Sequence, residues 1–315
     1  MNKELLEEVL SCLSDERITY AYFKDRYCMF LLSQYIGDGK SIQELKQGPF
    51  SQFCQKPHIK QWLGGIGSQY IEPDMLMALW QTQVHHFRVT LGQWGGDSPS
   101  WQQTCRKGYN LVLQLNFTKT HDRFYERVAN TEYEPFTAYG HPTHEQRNTL
   151  AWSRIDLSED LSEALIEEVQ TDWLRKSENI VRYLNRCNNP YEFEYYGIKT
   201  DLSGLSRYFN DVIKPLKSVW DEAILCATLE FLIKKVGVKN IYYYDHDTGR
   251  KLKSIDYDLP PRSLYTRLPK RFGFHTVSDA PEFIQADKFS AKKLKRIKQP
   301  QWYYLPLTGE HYAQA

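Results

Sequence analysis

The sequence predicts an α+β protein: a helical N-terminal domain, then an α/β domain with a mixed, largely antiparallel sheet. Three observations predict this class. Apolar residues recur at helical spacing in the first hundred residues, strand-like runs begin near residue 108, and a long apolar helix before Gly237 leads directly into a strand. We place a helical accessory domain at 1–100, the α/β domain at 105–285 and a basic C-terminal tail at 286–315.

Composition limits the class of protein. Of the 315 residues, 41% are hydrophobic and 25% are charged, so the chain can bury a core. Forty basic and thirty-nine acidic residues leave a formal charge of +1, which gives no overall attraction to nucleic acid or to an anionic membrane. The six cysteines form no C-x-x-C pair, and no apolar run reaches eighteen residues. These features indicate a cytoplasmic protein with reduced thiols and no membrane contact.

Local signals predict the helices. KELLEEVLSCL and RYCMFLLSQYI carry apolar residues at helical spacing, and Ser41 with Glu44 has the spacing of a capping box. PDMLMALWQTQVHHFRVTL, residues 73–91, is predicted as one long helix. SVWDEAILCATLEFLIKKVG is the strongest helix, with Ser218 and Asp221 as its capping pair and Gly237 as its stop.

An acidic strand is the most unusual feature. TLAWSRIDL and EALIEEVQTDW, residues 149–157 and 163–173, read as an antiparallel hairpin. Simple alternation places Glu168, Gln170 and Asp172 on one face together with Ile166. Such a row of acceptors can orient a water or take a proton. The alternative is a solvated face, or one whose carboxylates pair with Arg154 and Arg175.

The hairpin resembles a module of the large polyvalent proteins of bacteriophages and mobile elements. In that module, an N-T-x-A-x-x-R strand leads into a strand ending E-E-I-Q-S-D-W, and a buried helix beginning with Trp and an acidic residue follows. NTLAWSR, EEVQTDW and the VWDEAIL helix match this order over about residues 108–245. The resemblance implies a module and a biological setting, and it does not specify a reaction.

The C-terminal half is also similar in topology to GNAT acyltransferases. The order is hairpin, buried helix, strand, short helix with S-L-Y, a G-F ending and a further strand. The resemblance implies a GNAT-like fold, acetyl-coenzyme A as cofactor, and Tyr265 as the acid that protonates the departing thiolate. Gly273 and Phe274 match the ending. The glycine-rich pyrophosphate loop of that family has no counterpart after Trp173.

These patterns give two main functional hypotheses; a third, an NAD-consuming transferase, is suggested only by Glu168 and Gln170 and lacks the supporting arginine and serine motifs. The first is a transferase acting with a phosphate-bearing cofactor, in which Glu168 or Asp172 is the general base and Tyr265 the general acid. Cofactor-binding residues would be Gln170, Arg262, Lys270 and Arg271. The second is a binding module without turnover that docks a host protein through its helical domain, or nucleic acid through its basic tail.

Two further motifs have simpler explanations. His141 and His144 have metal-like spacing, but no third ligand is evident, so no metal site is predicted. The basic row before Trp302, Tyr303 and Tyr304 could contact phosphates and stack a base, although a short basic helix is more often simply solvated.

Overall fold

The computed structural model describes residues 1–13, 18–77, 79–96, 103–130, 132–184, 186, 197–255 and 260–307. These residues form an α+β structure built on a mixed eight-stranded sheet, which confirms the predicted class. Its strands, with a separate short pair, are β1 (Thr19–Tyr22), β2 (Lys40–Ser41), β3 (Tyr70–Ile71), β4 (His85–Gly96), β5 (Gly108–Asn116), β6 (Thr149–Leu157), β7 (Glu163–Gln170), β8 (Asn240–Tyr244), β9 (His275–Val277) and β10 (Trp302–Pro306).

The large sheet has the order β1-β4-β5-β6-β7-β8-β10-β9, and β2 pairs only with β3. Adjacent strands in the series β1, β4, β5, β6 and β7 are antiparallel to one another, and so are adjacent strands in the series β8, β10 and β9. The pair β7 and β8 is parallel. A parallel pair needs a long crossover, and here the chain between β7 and β8 includes three helices.

Helices surround this sheet. They are α1 (Lys3–Ser11), α2 (Arg26–Ile36), α3 (Ile42–Gln47), α4 (Pro57–Gly65), α5 (Pro73–Met77), α6 (Lys119–Val128), α7 (Asp172–Leu184), α8 (Leu202–Tyr208), α9 (Trp220–Phe231), α10 (His246–Lys253), α11 (Arg267–Arg271), α12 (Glu282–Ala286) and α13 (Lys288–Leu294). Short 3₁₀ segments cover Ser51–Gln55, Lys214–Ser218 and Arg262–Tyr265, and single π turns cover Phe209–Ile213 and Leu232–Val236. No helix in the described ranges is both long and apolar enough to cross a bilayer.

Several local predictions are confirmed. Ser41 accepts a hydrogen bond from the Glu44 amide at 3.2 Å, and the Glu44 carboxylate accepts one from the Ser41 amide at 2.8 Å, which completes the capping box. Helix α9 is buried over most of its surface, as its apolar sequence predicts. Gly237 ends the helical segment at a φ of +83°. The predicted capping pair of α9 is wrong, because the helix begins at Trp220 and the Ser218 hydroxyl donates to the Pro215 carbonyl.

The predicted helix over residues 73–91 is also wrong beyond Met77. Helix α5 ends there, and from His85 the chain is strand β4. Phe87 and Val89 are buried at a spacing of two, which is the period of a strand. Strand β4 pairs with β1 on one side and β5 on the other. The first hundred residues therefore contribute two strands to the sheet that the rest of the chain completes.

The C-terminal residues also enter this sheet. Strand β10 lies between β8 and β9, and Trp302 and Tyr303 are buried. These two rings are therefore not available to stack a base in the folded chain. The basic residues Lys292, Lys295 and Lys298 are exposed, consistent with ordinary solvation of this segment.

We expect a Gly237→Ala variant to lose about 1 kcal/mol of unfolding free energy, because an alanine at positive φ is strained. An added Cβ at Gly237 would meet nothing within 4 Å, so steric crowding does not contribute. Gly64 in α4 is equally open but has no positive φ, so Gly64→Ala should stabilise by roughly 0.5–1 kcal/mol. Urea unfolding of both variants measures the two changes in unfolding free energy. Changes of equal size and the same sign would contradict this explanation.

Candidate functional site

A β-bulge in the acidic strand determines which side chains share a face. Arg154 pairs with Glu168 and Ile155 pairs with Ile166, so Glu167 is the extra residue on β7. Ile155 and Arg154 are consecutive and face opposite sides of the sheet. Their partners Ile166 and Glu168 therefore face opposite sides too. The predicted placement of Ile166 beside Glu168 is wrong, whereas Glu168 and Gln170 share a face as predicted.

The face that carries Glu168 forms part of a cavity wall. Two neighbouring cross-strand pairs, Arg154 with Glu168 and Trp152 with Gln170, lie on this face. The cavity holds about 780 Å³. It is lined by Trp94, Gln103, Ala138, Gly140, His141, Pro142, Trp152, Arg154, Glu168, Gln170, Thr171, Leu174, Arg175, Glu178, Lys217, Trp220, Lys253, Ile255, Pro260, Pro261 and Leu264.

The cavity lies at the point along β7 where its pairing with the parallel strand β8 ends. Pairing of β7 with β8 covers Glu163–Ile166, yet β7 continues to Gln170. The carboxyl ends of neighbouring parallel strands are the usual place for ligands in α/β sheets. Glu168, Gln170 and Thr171, which line the cavity, belong to the part of the chain that has left β8.

Glu168 is held between two buried cations. Arg154 donates to its carboxylate, and the Lys253 Nζ lies 4.0 Å away. The Arg154 guanidinium also lies over the Trp94 ring, 5.1 Å from its centroid. Burial raises the pKa of Glu168, but the charges of Arg154 and Lys253 and the hydrogen bond from Arg154 outweigh it, and the pKa is lowered. Glu168 is therefore an ionised anchor and a weak proton acceptor.

The adjacent Glu167 behaves in the opposite way. Its side chain is fully buried, and its carboxylate accepts from the Cys105 amide at 3.1 Å. Burial raises the pKa of Glu167 despite the charges of Lys253 and Arg154. Burial also lowers the pKa of Lys253, whose Nζ donates to the Glu167 carbonyl at 3.1 Å. The bulge thus places two consecutive acids of β7 in different surroundings, which shift their pKa values in opposite directions.

Asp172 does not extend the acidic row. It begins α7, and its carboxylate accepts from three groups: His141 Nδ1 at 2.7 Å, the Ala138 amide at 3.1 Å and Arg175 at 2.6 Å. Burial raises the pKa of Asp172, but the hydrogen bond and charge of His141 and the charge of Arg175 outweigh it, so the pKa is lowered. In the form of His141 that carries one proton, on Nδ1 towards the ionised carboxylate, Nε2 is a proton acceptor.

The pair of Asp172 and His141 places a carboxylate-bonded imidazole at the cavity wall. His141 lines the cavity and its side chain is 30% exposed, whereas Asp172 is 2% exposed. Sequence reasoning considered His141 only as a metal ligand, and it considered Asp172 as a candidate general base on a strand. The two lie 31 positions apart in the chain, and no spacing rule relates a loop histidine to the first residue of a helix.

Tyr265 lies behind the same wall. It is buried, and its hydroxyl has no hydrogen-bond partner among the described residues. It lines a small chamber of about 20 Å³ whose walls include Lys253, Ile255 and Pro260, which also line the main cavity. Burial, followed by the charge of Glu168, raises the pKa of Tyr265. The hydroxyl therefore keeps its proton at neutral pH.

The cofactor-binding residues expected from the sequence divide into two groups. Gln170 lines the cavity. Arg262, Lys270 and Arg271 are outside its lining: Arg262 lies 3.6 Å from Asp247, Lys270 is exposed, and Arg271 is held by Asp221 at 2.5 Å and Glu222 at 3.2 Å. Arg175 and Lys217, which do line the cavity, were not predicted to bind a cofactor. Arg175 was expected only as a partner of the strand carboxylates, and it pairs with Asp172 as Arg154 pairs with Glu168.

Within the described ranges, no group of three or more His, Cys, Asp or Glu side chains could hold a metal ion. His141 is bonded to Asp172, and His144 Nδ1 accepts from the Gln146 amide at 3.0 Å. Each of the two histidines therefore has a hydrogen-bond partner within the chain.

Comparison of the chain with protein-family models, with curated proteins and with solved structures found no match. The resemblances to the phage module and to the acyltransferases therefore remain predictions, and the cavity has to be interpreted from its own residues.

We expect Asp172→Asn to cost about 1–3 kcal/mol of unfolding free energy at neutral pH, because it weakens a buried charge-assisted network. The folded pKa of Asp172 is lowered, so its contribution is complete above the unfolded value, near 3.8, and is lost as pH falls through the folded value. The deficit of the variant should therefore shrink below that pH.

Denaturant unfolding between pH 3 and pH 7 measures this effect. The control is Asp38→Asn, because Asp38 is exposed, and its effect should stay within about 0.5 kcal/mol throughout. A deficit for Asp172→Asn that is equally large at both ends of the pH range would disprove an electrostatic role.

Proposed function

We propose that this protein is a GNAT-like acyltransferase that binds a coenzyme A thioester in the cavity at the end of β7. The observation that carries the proposal is the pair of Asp172 and His141 facing a cavity of about 780 Å³ where β7 and β8 diverge. A cavity of this size fits a cofactor with an extended arm. The pair supplies a general base at its wall.

The order of elements supports this proposal. The hairpin of β6 and β7 is followed by the buried helix α9, the parallel strand β8, the 3₁₀ turn at Arg262–Tyr265, and β9. This order is similar to that of the C-terminal half of GNAT acyltransferases. Gly273, in the predicted G-F ending, has a φ of +82°, and a Cβ there would lie 2.8 Å from the Phe50 ring. Glycine is therefore needed at this position.

The residues suggest how transfer would proceed. His141 Nε2 removes a proton from the acceptor amine as its nitrogen forms a bond to the thioester carbonyl carbon. The carbon–sulfur bond then breaks, and the departing thiolate takes the proton of Tyr265. Burial raises the pKa of Tyr265, so its hydroxyl carries a proton at neutral pH, and the same shift makes it a weak acid. We assign the base to His141 rather than Glu168, because Arg154 and Lys253 lower the pKa of Glu168.

The phosphate groups need a different site from the one the sequence suggests. The chain passes from β7 through Thr171 directly into α7, without a glycine-rich loop. Arg175 and Lys217 line the cavity with side chains that are 50% and 36% exposed. We assign the pyrophosphate to these two cations, which are accessible to a charged ligand.

Acetyl-coenzyme A should raise the thermal midpoint of the purified protein. At a hundred times its dissociation constant a ligand stabilises by about 2.7 kcal/mol, which corresponds to roughly 5 °C or more in a chain of this size. Arg175→Met combined with Lys217→Met should abolish most of the shift. The matched control is Lys270→Met, because Lys270 is exposed and outside the cavity lining. Failure of the wild-type protein to shift would favour the binding module over the enzyme.

His141→Gln should lower the turnover number by roughly 10²–10⁴, because it removes the general base while keeping a similar shape. Release of free coenzyme A from acetyl-coenzyme A, in the presence of a panel of primary amines, measures the rate. His86→Gln is the control, since His86 is an exposed residue of β4. An unchanged rate in His141→Gln together with a large loss in Glu168→Gln would return the base to Glu168.

A further inference from the structure

A continuous line of hydrogen bonds runs beneath the loop that carries His141. It begins at the backbone N–H of His144 and ends at the backbone carbonyl of Pro142. Between these ends lie four buried side chains from β4, β5 and β6: Thr149, Asn116, Thr90 and Gln114.

Each link of the line is short. His144 N–H donates to Thr149 Oγ1 at 2.9 Å, and Thr149 Oγ1 donates to Asn116 Oδ1 at 2.7 Å. Asn116 Nδ2 donates to Thr90 Oγ1 at 2.7 Å. Thr90 Oγ1 then donates to Gln114 Oε1 at 2.7 Å, and Gln114 Nε2 donates to the Pro142 carbonyl at 2.9 Å.

The two ends determine the direction of every bond. A backbone N–H can only donate and a carbonyl can only accept, so each hydroxyl must accept from one neighbour and donate to the next. The amide orientations of Asn116 and Gln114 follow from the same rule. Reversing either amide would place two acceptors or two donors together, which a buried site does not tolerate.

Sheet register brings these residues under the loop. Thr90, Gln114, Trp152 and Gln170 form one cross-strand row on the face that lines the cavity. A shift in pairing between β5 and β6 brings Thr149 opposite Asn116. The line therefore lies beside the cavity, next to Trp152, whose ring centroid is 5.2 Å from that of His141.

We infer that Thr90, Asn116 and Gln114 are positioning residues that hold the His141 ring in place against Asp172 and the cavity. Asp172 fixes the loop on one side, at Ala138 and His141. The buried line fixes the other side, at Pro142 and His144. Their role in turnover rests on the proposed function, whereas their hold on His141 does not.

The test uses Thr90→Val, which removes the one group that both accepts from Asn116 and donates to Gln114. The first readout is the ¹⁵N and ¹H NMR signal of the His141 imidazole. In the wild-type protein we expect a protected Nδ1 proton bonded to Asp172. In Thr90→Val the exchange rate of that proton with water should rise about tenfold. The loop loses one buried hydrogen bond, whose contribution to stability corresponds to about a tenfold change in an equilibrium constant. Thr90→Ser keeps the hydroxyl and should restore protection.

Thr228→Val is the matched control. Thr228 is also buried and hydrogen-bonded, with Ser153 at 2.6 Å and the Ile224 carbonyl at 2.8 Å, but it belongs to α9. It should lower stability without changing the His141 signal. An unchanged His141 signal in Thr90→Val, or an equal change in Thr228→Val, would overturn the inference.

Kinetics separate this inference from the proposed function. If the protein transfers acetyl groups, Thr90→Val should lower the turnover number about tenfold and leave the KM for acetyl-coenzyme A unchanged. If it transfers nothing while the imidazole signal responds as expected, the positioning role stands and the acyltransferase proposal fails. If turnover is normal in Thr90→Val, the line does not position a catalytic base.

Discussion

The structure of the cavity depends on burying charge inside the central hairpin. Arg154 and Glu168 face each other across β6 and β7, and their side chains are 2% and 13% exposed. Ionised groups taken from water cost several kcal/mol each unless they are paired and hydrogen-bonded. Arg154 and Glu168 can pair in this way only if both side chains lie on the same face of the sheet. The bulge at Glu167 is therefore a requirement of the site, because without it Glu168 would point to the other side of the sheet.

The bulge also explains how residues 167–172 can carry three carboxylates that lie in three different environments. Glu167 is bonded to a backbone amide, Glu168 is held between cations, and Asp172 begins a helix and bonds to an imidazole. Burial dominates at Glu167 and raises its pKa, whereas positive partners dominate at the other two and lower theirs. Separated pKa values in neighbouring acids are a feature of functional sites, and here they follow from backbone geometry.

Much of this structure could be read from the sequence, and the limits have physical causes. The hairpin, the capping box at Ser41 and the stop at Gly237 rest on local signals, and the structure confirms them. The helix predicted over 73–91 failed, because His85–Leu91 is stabilised as a strand by partners on both sides. The pairing of His141 with Asp172 depends on how the loop at 138–142 folds over α7, which no periodicity encodes.

The buried line from His144 to Pro142 connects these points. Polar side chains in a sheet interior stabilise less than well-packed apolar ones and become costly when a single partner is lost. Such a line is useful where a loop must be held in one arrangement, because its bonds are directional and apolar contacts are not. The line holds the loop that carries His141. Among the described residues that line the cavity, His141 is the only histidine. Two independent polar anchors thus hold the loop of one imidazole: Asp172 bonds to the His141 ring, and the line through Thr90 bonds to the backbone of Pro142 and His144. These two anchors are the strongest physical reason to expect chemistry at His141.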